Sequence, residues 1–456
     1  MGKYEKYLVH FIFFYSCIEG LVINIQYPSK FPHVYKDILI FILYIMVFFR
    51  NPRRFFPRSS SSKNLLLALS CFAFITVLFL IFPWTRFLPG LVAVKQRLFY
   101  IPLLCIGYYF VSDEDNLKKL LQWQAVYAIC VSTFGVYLYF AGPSGLRRLG
   151  ATYSTAIFTA QTDTVKQIYW RVPATFNSPG QYGSFLLFVG LIVVALLLSK
   201  TVSRMWKLIA LISFFFTIIG TLTSGSRTPI LFLTAAIAVL LLLSRKFKRI
   251  ITWGLVGYAI LALGFNLLGE GVRERFGSIA SYEHIERFQN TYFGQLFLPS
   301  LLQNPFGEGL GVATIGARHL SELKPTPKIG TQSAPSEQSF KLVESYLGLI
   351  ATETGFPGLF VFLWVAILIV AGIFDLRKYI NQSPMAPVWH SFAIYVLFTI
   401  LLMPVSTTIE HAPMNLYFWF LIGVILRVAD IEKRKRKEQQ TLNYPSLVYQ
   451  SSMRLR

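Results

Sequence analysis

The sequence predicts an all-α polytopic membrane protein of about twelve transmembrane helices, and three observations predict it. Apolar runs long enough to cross a bilayer recur along the whole 456-residue chain. Charged residues make up only 14% of it against 54% hydrophobic, with a mean hydropathy of +0.54. Lys and Arg fall mainly in alternate connections between the runs. A soluble protein of this length needs far more polar surface to cover its core.

A hydrocarbon core of about 30 Å takes about 20 apolar residues of helix. In chain order the candidate spans lie near 7–26, 34–49, 64–83, 89–111, 119–141, 181–199, 206–223, 227–244, 250–268, 355–374, 388–404 and 413–428. The first carries Glu19 and lacks a small-residue cleavage site, so it is expected as a retained helix rather than a signal peptide. The second and twelfth are short, and Lys95 and Arg97 interrupt the fourth. Cys17, Cys71, Cys105 and Cys130 all fall in apolar runs and read as small hydrophobes, not as disulfides or metal ligands.

With the N-terminus inside, the cytoplasmic segments hold more than half of the 43 basic residues, in "RNPRRFFPRSSSSK" (50–63), "SKTVSRMWK" (199–207), "RKFKR" (245–249) and "EKRKRK" (432–437) among others. The positive-inside bias therefore places both termini in the cytoplasm of a multi-pass protein. The net charge of +22 is mostly this topology signal plus attraction to anionic membrane lipids, and nucleic acid is not an expected partner. Two long loops fall outside, about 142–180 and 269–354. The expected organisation is an N-terminal block of about five spans with the first long loop (1–169), a core (170–428) and a basic cytoplasmic tail (429–456). No internal repeat is visible.

Loops of this size are usually functional, and polar groups gather on their side. "RVPATFNSPGQYGSFL" (171–186) brings Arg171 and Asn177 to the edge of the sixth span. "LTSGSRTPILFL" (222–233) puts Arg227 where the eighth begins, after a Ser-Gly-Ser turn and before Pro229. A helix N-terminus with an arginine makes an anion site; equally, Arg227 snorkels to lipid phosphates. Apolar spacing through Ile285, Phe288, Tyr292, Phe293 and Leu296 predicts a surface helix carrying Arg287. "NPFGEGLG" (304–311) is a turn whose backbone can approach a ligand. It is not a nucleotide loop, because no Gly-Lys-Ser/Thr follows. In "ESYLGLIATETGFPG" (344–358), Glu344 stands at the membrane boundary as either a general base or a salt-bridge partner. Glu353 reads as a buried acid tying a short helix to the turn. His284, His319 and His411 lack second ligands, so no metal is expected.

The order of these pieces, an arginine before "NSPG", then "SGSR", a loop-helix arginine, "NPFGEGLG" and "ESYLGLIATETGFPG", resembles the O-antigen ligase and polysaccharide polymerase family over residues 170–375. The resemblance implies a GT-C-like bundle in a bacterial cytoplasmic membrane, acting outside the cytoplasm on a polyprenyl-pyrophosphate-linked oligosaccharide without metal or nucleotide sugar. Arg227 and Arg287 would hold the pyrophosphate. The ligases' His-Asn pair is replaced by Val343 and Glu344, which fits a polymerase better. Glu344 then takes the proton from the attacking sugar hydroxyl, and a single displacement inverts the anomeric centre. Arg227, Arg287 and Glu344 are the expected catalytic set, with Arg171, Lys95, Arg97 and Tyr346 binding substrate. A chain-length regulator is a possible partner. Two alternatives stay open. One is a ligase moving finished glycan to a lipid or protein acceptor; the other is a transporter or lipid-linked sugar flippase, although transporters place polar groups near the midplane. Lys95 and Arg97, roughly 10 Å into their span, either line a phosphate cavity or snorkel. The sequence offers no role for Glu19.

Overall fold

The computed structural model describes residues 1–26, 32–50, 56–57, 60–82, 85–111, 114–149, 158–162, 165–244, several between 257 and 276, 301–314, 316–317, 343, 345–380, 383 and 385–453. Among them, eight helices are long and apolar enough to cross a membrane, and Arg227–Leu243 and Ala386–Leu402 are shorter apolar helices. The protein is a polytopic helical membrane protein.

Helices α1 (Lys3–Ile25) and α2 (Pro32–Arg50) form an antiparallel pair. Ion pairs fasten it at both ends, one wholly buried and the other with its arginine half exposed. Lys36 Nζ donates to both Glu19 oxygens at 2.9 and 3.1 Å, and Arg50 Nη1 lies 3.3 Å from Glu5 Oε1. Pairing is what lets ionised groups persist in an apolar helix, and it supplies the role that Glu19 lacked in the sequence.

After α3 (Ser60–Leu80), the expected fourth span divides into α4 (Phe87–Leu98) and α5 (Leu103–Phe110). Pro102 has no N–H to continue an α-helix. The chain crosses the gap on tight bonds of i to i+3 type, Ile101 N–H to Leu98 O at 3.2 Å and Leu103 N–H to Tyr100 O at 3.1 Å. Helix α6 (Glu114–Leu149) follows, with non-helical backbone at Gly142.

The first long loop is not wholly irregular. Strands β1 (Phe158–Thr162) and β2 (Val165–Arg171) pair antiparallel, with a register shift between Ala160 and Thr162. The fold is therefore of the expected all-α class, with one small ribbon among the described residues that the sequence did not announce. The β-branched and aromatic residues of "VKQIYWR" suit a strand.

Helix α7 (Pro179–Leu198) opens with Pro179 at its first position, and the Ser178 hydroxyl accepts the Gln181 N–H at 3.2 Å. It is apolar on every face and is the most deeply buried span, as an all-round hydrophobic helix must be. Around it stand α8 (Arg204–Ser224), α9 (Arg227–Leu243), α10 (Tyr346–Ile380), α11 (Ala386–Leu402) and α12 (Met414–Met453). The expected span 250–268 lies largely outside the described residues. Helix α12 runs unbroken through the basic stretch expected as a separate tail.

Two features hold the centre. Tyr417 packs on Phe188 and Phe13 with ring centroids 4.0 and 5.0 Å apart, and its hydroxyl donates to Gln124 Oε1 at 2.7 Å. Helices α5 and α12 touch backbone to backbone. A Cβ on Gly107 would lie 2.0 Å from Phe420 O, and one on Gly423 would lie 1.8 Å from Leu104 O. Small residues facing each other in this way let membrane helices gain van der Waals contact where no hydrophobic force drives them together.

Candidate functional site

The turns at one end of the bundle are tied to each other by backbone hydrogen bonds. Leu21 N–H donates to Thr175 O at 2.9 Å, Val172 N–H to Thr223 O at 3.2 Å, Glu308 N–H to Thr352 O at 2.8 Å and Tyr346 N–H to Met403 O at 2.9 Å. The first two bonds join the end of α1, the entry to α7 and the α8–α9 turn; the last two join the 304–314 turn, the start of α10 and the end of α11. The two sets meet at the short turn Thr408–Glu410, which touches both α7 and α10.

Two polar constellations form there. The first is the α8–α9 turn. Gly225 caps α8 in the left-handed region (φ 59°), and a Cβ at Gly225 would lie 2.7 Å from Arg171 Cγ. Arg171 lies across this turn, with Nε donating to Ser224 O at 3.3 Å and Nη2 to Ser226 Oγ at 3.1 Å. Ser226 Oγ in turn donates to Pro179 O at 3.2 Å. The motifs around Arg171, Pro179 and Arg227 thus meet at the N-terminus of α9, where Arg227 is its first residue and is partly exposed. Two guanidinium-bearing residues beside a helix N-terminus make a positive, donor-rich surface suited to an anion.

The second constellation is buried. Arg97 Nη2 lies 2.5 Å from Glu353 Oε2, with both side chains almost wholly out of solvent. Glu353 Oε1 accepts Ala313 N–H at 2.9 Å, Thr314 N–H at 2.7 Å and Thr314 Oγ1 at 2.9 Å. Lys95 pairs with Asp37, which also accepts the Tyr100 hydroxyl at 2.8 Å. Neither fourth-span cation reaches for lipid: each ends on a carboxylate. Tyr346 is buried with its ring 5.3 Å from Phe362, and its hydroxyl lies within electrostatic range of Arg97, Glu410 and Glu353. Arg287 and Glu344 lie outside the described residues.

The "NPFGEGLG" turn does approach a backbone closely, but it is the chain's own. Helix α10 breaks at Gly355 (φ 59°), and a Cβ there would lie 2.1 Å from Pro305 O. Gly309 N–H donates to Glu353 O at 3.2 Å and Phe356 N–H to Pro305 O at 2.9 Å. The expectation of a ligand against these glycines gives way to an interlock of two turns. Glu353 is the buried tie expected of it.

Glu410 was not singled out by its sequence. It closes the turn Thr408–Glu410 between α11 and α12 and is buried, and neither carboxyl oxygen has a hydrogen-bond partner among the described residues. Arg97 Nε and Nη1 likewise lack acceptors among them. Burial, reinforced by the charge of Glu353 and only partly offset by Arg97, pushes the Glu410 carboxyl up to about 8. Burial and the nearby Lys36 hold the His411 imidazole down at about 4, so it stays neutral. The available signal was a lone acid in a short connection between two apolar helices.

Glu410 makes stability depend on pH. Between its ordinary value of 4.5 and about 8, the folded chain retains a proton that the unfolded chain releases, so stability falls as pH rises through this window. Glu410→Gln removes that loss. Its stability is expected to match the wild type below pH 4.5 and to exceed it at pH 8 by on the order of a few kcal/mol, seen as a higher apparent Tm. Thermal unfolding in detergent across this range measures it, and parallel pH profiles for the two proteins would refute the assignment.

No family model matches the chain, and no curated protein matches it.

Proposed function

We propose that the protein is a polymerase of lipid-linked oligosaccharide repeat units, working on the outer face of a bacterial cytoplasmic membrane with both termini inside. The observation that carries this reading is the Arg171–Ser226 contact. It joins two motifs at one helix N-terminus, at the bundle end shared by the 304–314 turn and the start of α10.

Arg227, with Arg171 bracing its turn and Arg287 from the large loop, holds the pyrophosphate of a polyprenyl-linked donor. Glu344 takes the proton from an acceptor sugar hydroxyl. That oxygen forms a bond to the anomeric carbon, and the anomeric carbon–oxygen bond to pyrophosphate breaks. The bonding pair leaves on the pyrophosphate oxygen, where guanidinium donors stabilise the growing charge. Attack from the opposite face inverts the centre. Arg97 serves this site indirectly, by holding the Glu353 turn in place. No metal or organic cofactor enters this scheme.

Deleting the gene and examining carrier-linked glycans tests the reading. Single repeat units left on the carrier are expected. Long chains stranded on the carrier would favour a ligase, and loss of outer-leaflet single units would favour a flippase; either outcome overturns polymerisation.

A further inference from the structure

At the opposite end of the bundle, the starts of α1 and α6 flank a cleft of about 600 Å³. On α1, Lys3, Lys6, Tyr7, His10, Phe11 and Phe14 recur at spacings of three and four, so they share one helix face. On α6, Asn116, Lys119, Trp123 and Tyr127 do the same. The two faces carry the same gradient, basic in the first turns and aromatic deeper in. Phe14 and Tyr127 close the floor, with ring centroids 5.3 Å apart, and Trp123 stacks on Tyr127 at 6.1 Å. Tyr7, Phe11 and Trp123 are each about half exposed or more.

We infer that this cleft binds an anionic phospholipid, its phosphate among Lys3, Lys6 and Lys119 and an acyl chain along Phe11 and Trp123. Charge selects the occupant. No carboxylate lines the cleft among the described residues. Glu5 is turned to Arg50 and the Gly2 amide, and Asp115, 3.3 Å from Lys118, is 77% exposed and outside the lining. Two helix N-termini add their partial positive charge. Depth agrees: eleven residues from Lys3 to Phe14 span about 16 Å of helix, close to one leaflet of a bilayer whose core is about 30 Å. Basic pockets between membrane helices commonly hold anionic headgroups, and Trp and Tyr favour the interface.

The full chain, reconstituted in phosphatidylcholine nanodiscs, is doped with a low fraction of phosphatidylglycerol brominated on its acyl chains, or with brominated phosphatidylcholine as control. The Trp123 signal is isolated by subtracting Trp123→Phe. Brominated phosphatidylglycerol is expected to quench Trp123 several-fold more than brominated phosphatidylcholine at equal fraction. The preference should fall with each lysine changed among Lys3→Gln, Lys6→Gln and Lys119→Gln and vanish in the triple variant, and it should weaken in high salt. Equal quenching by the two lipids, or a preference that survives the triple substitution, would overturn the inference. Salt sensitivity in the unsubstituted chain gives a readout independent of how the variants fold.

Discussion

Replacing Arg97 with methionine is expected to destabilise the protein by about 3–5 kcal/mol, because it strands a buried carboxylate. The Glu353 Oε2 atom then loses its cation with the Glu410 carboxyl nearby, while Oε1 keeps its three donors from Ala313 and Thr314. Glu353→Gln should be damaging for a different reason. Its amide oxygen can keep those three donors, but its NH₂ group then points at the Arg97 guanidinium, donor against donor. Combining Arg97→Met with Glu353→Gln removes both conflicts, so the double variant should be more stable than the sum of the two losses allows. Thermal unfolding of the four proteins in detergent completes the cycle. Strictly additive losses would show that the two side chains do not depend on each other.

Arg227→Ala is expected to lower polymer formation by at least about 10²–10³-fold under the proposed function, the usual cost of losing a donor to developing negative charge. Arg227→Lys should recover only part of it, since an ammonium retains the charge but not the planar fork that grips two phosphate oxygens. Single repeat units should accumulate on the carrier in both variants at normal protein abundance. Arg171→Ala should cost less, because Arg171 already spends two donors on Ser224 O and Ser226 Oγ. Wild-type polymer from Arg227→Ala would remove the pyrophosphate assignment.

Spans were legible wherever length and hydropathy speak for themselves, and α7, all apolar, sits where such a helix has to sit. Charged residues within spans were visible but their partners were not. Lys36 finds Glu19 17 positions back, whereas Arg97 finds Glu353 256 positions on, and only packing of α4 against the 304–314 and 352–355 turns brings that pair together. The glycines of "NPFGEGLG" correctly announced a close approach without saying to what. Glu410 escaped because an isolated acid has no period or spacing. The β1–β2 ribbon escaped because two short strands stand inside a loop whose remainder carries no alternating pattern.

The Arg97–Glu353 pair also constrains how the chain is made. A ribosome adding about 5–20 residues per second needs roughly 10–50 s to travel the 256 positions between the two. During that interval Arg97 has already been delivered toward the bilayer and its counter-ion has yet to be synthesised. Asp37, which Lys95 engages in the finished protein, is the acid available nearby at that moment. The N-terminal helices therefore remain incomplete as an ion-paired unit until the second half of the protein emerges.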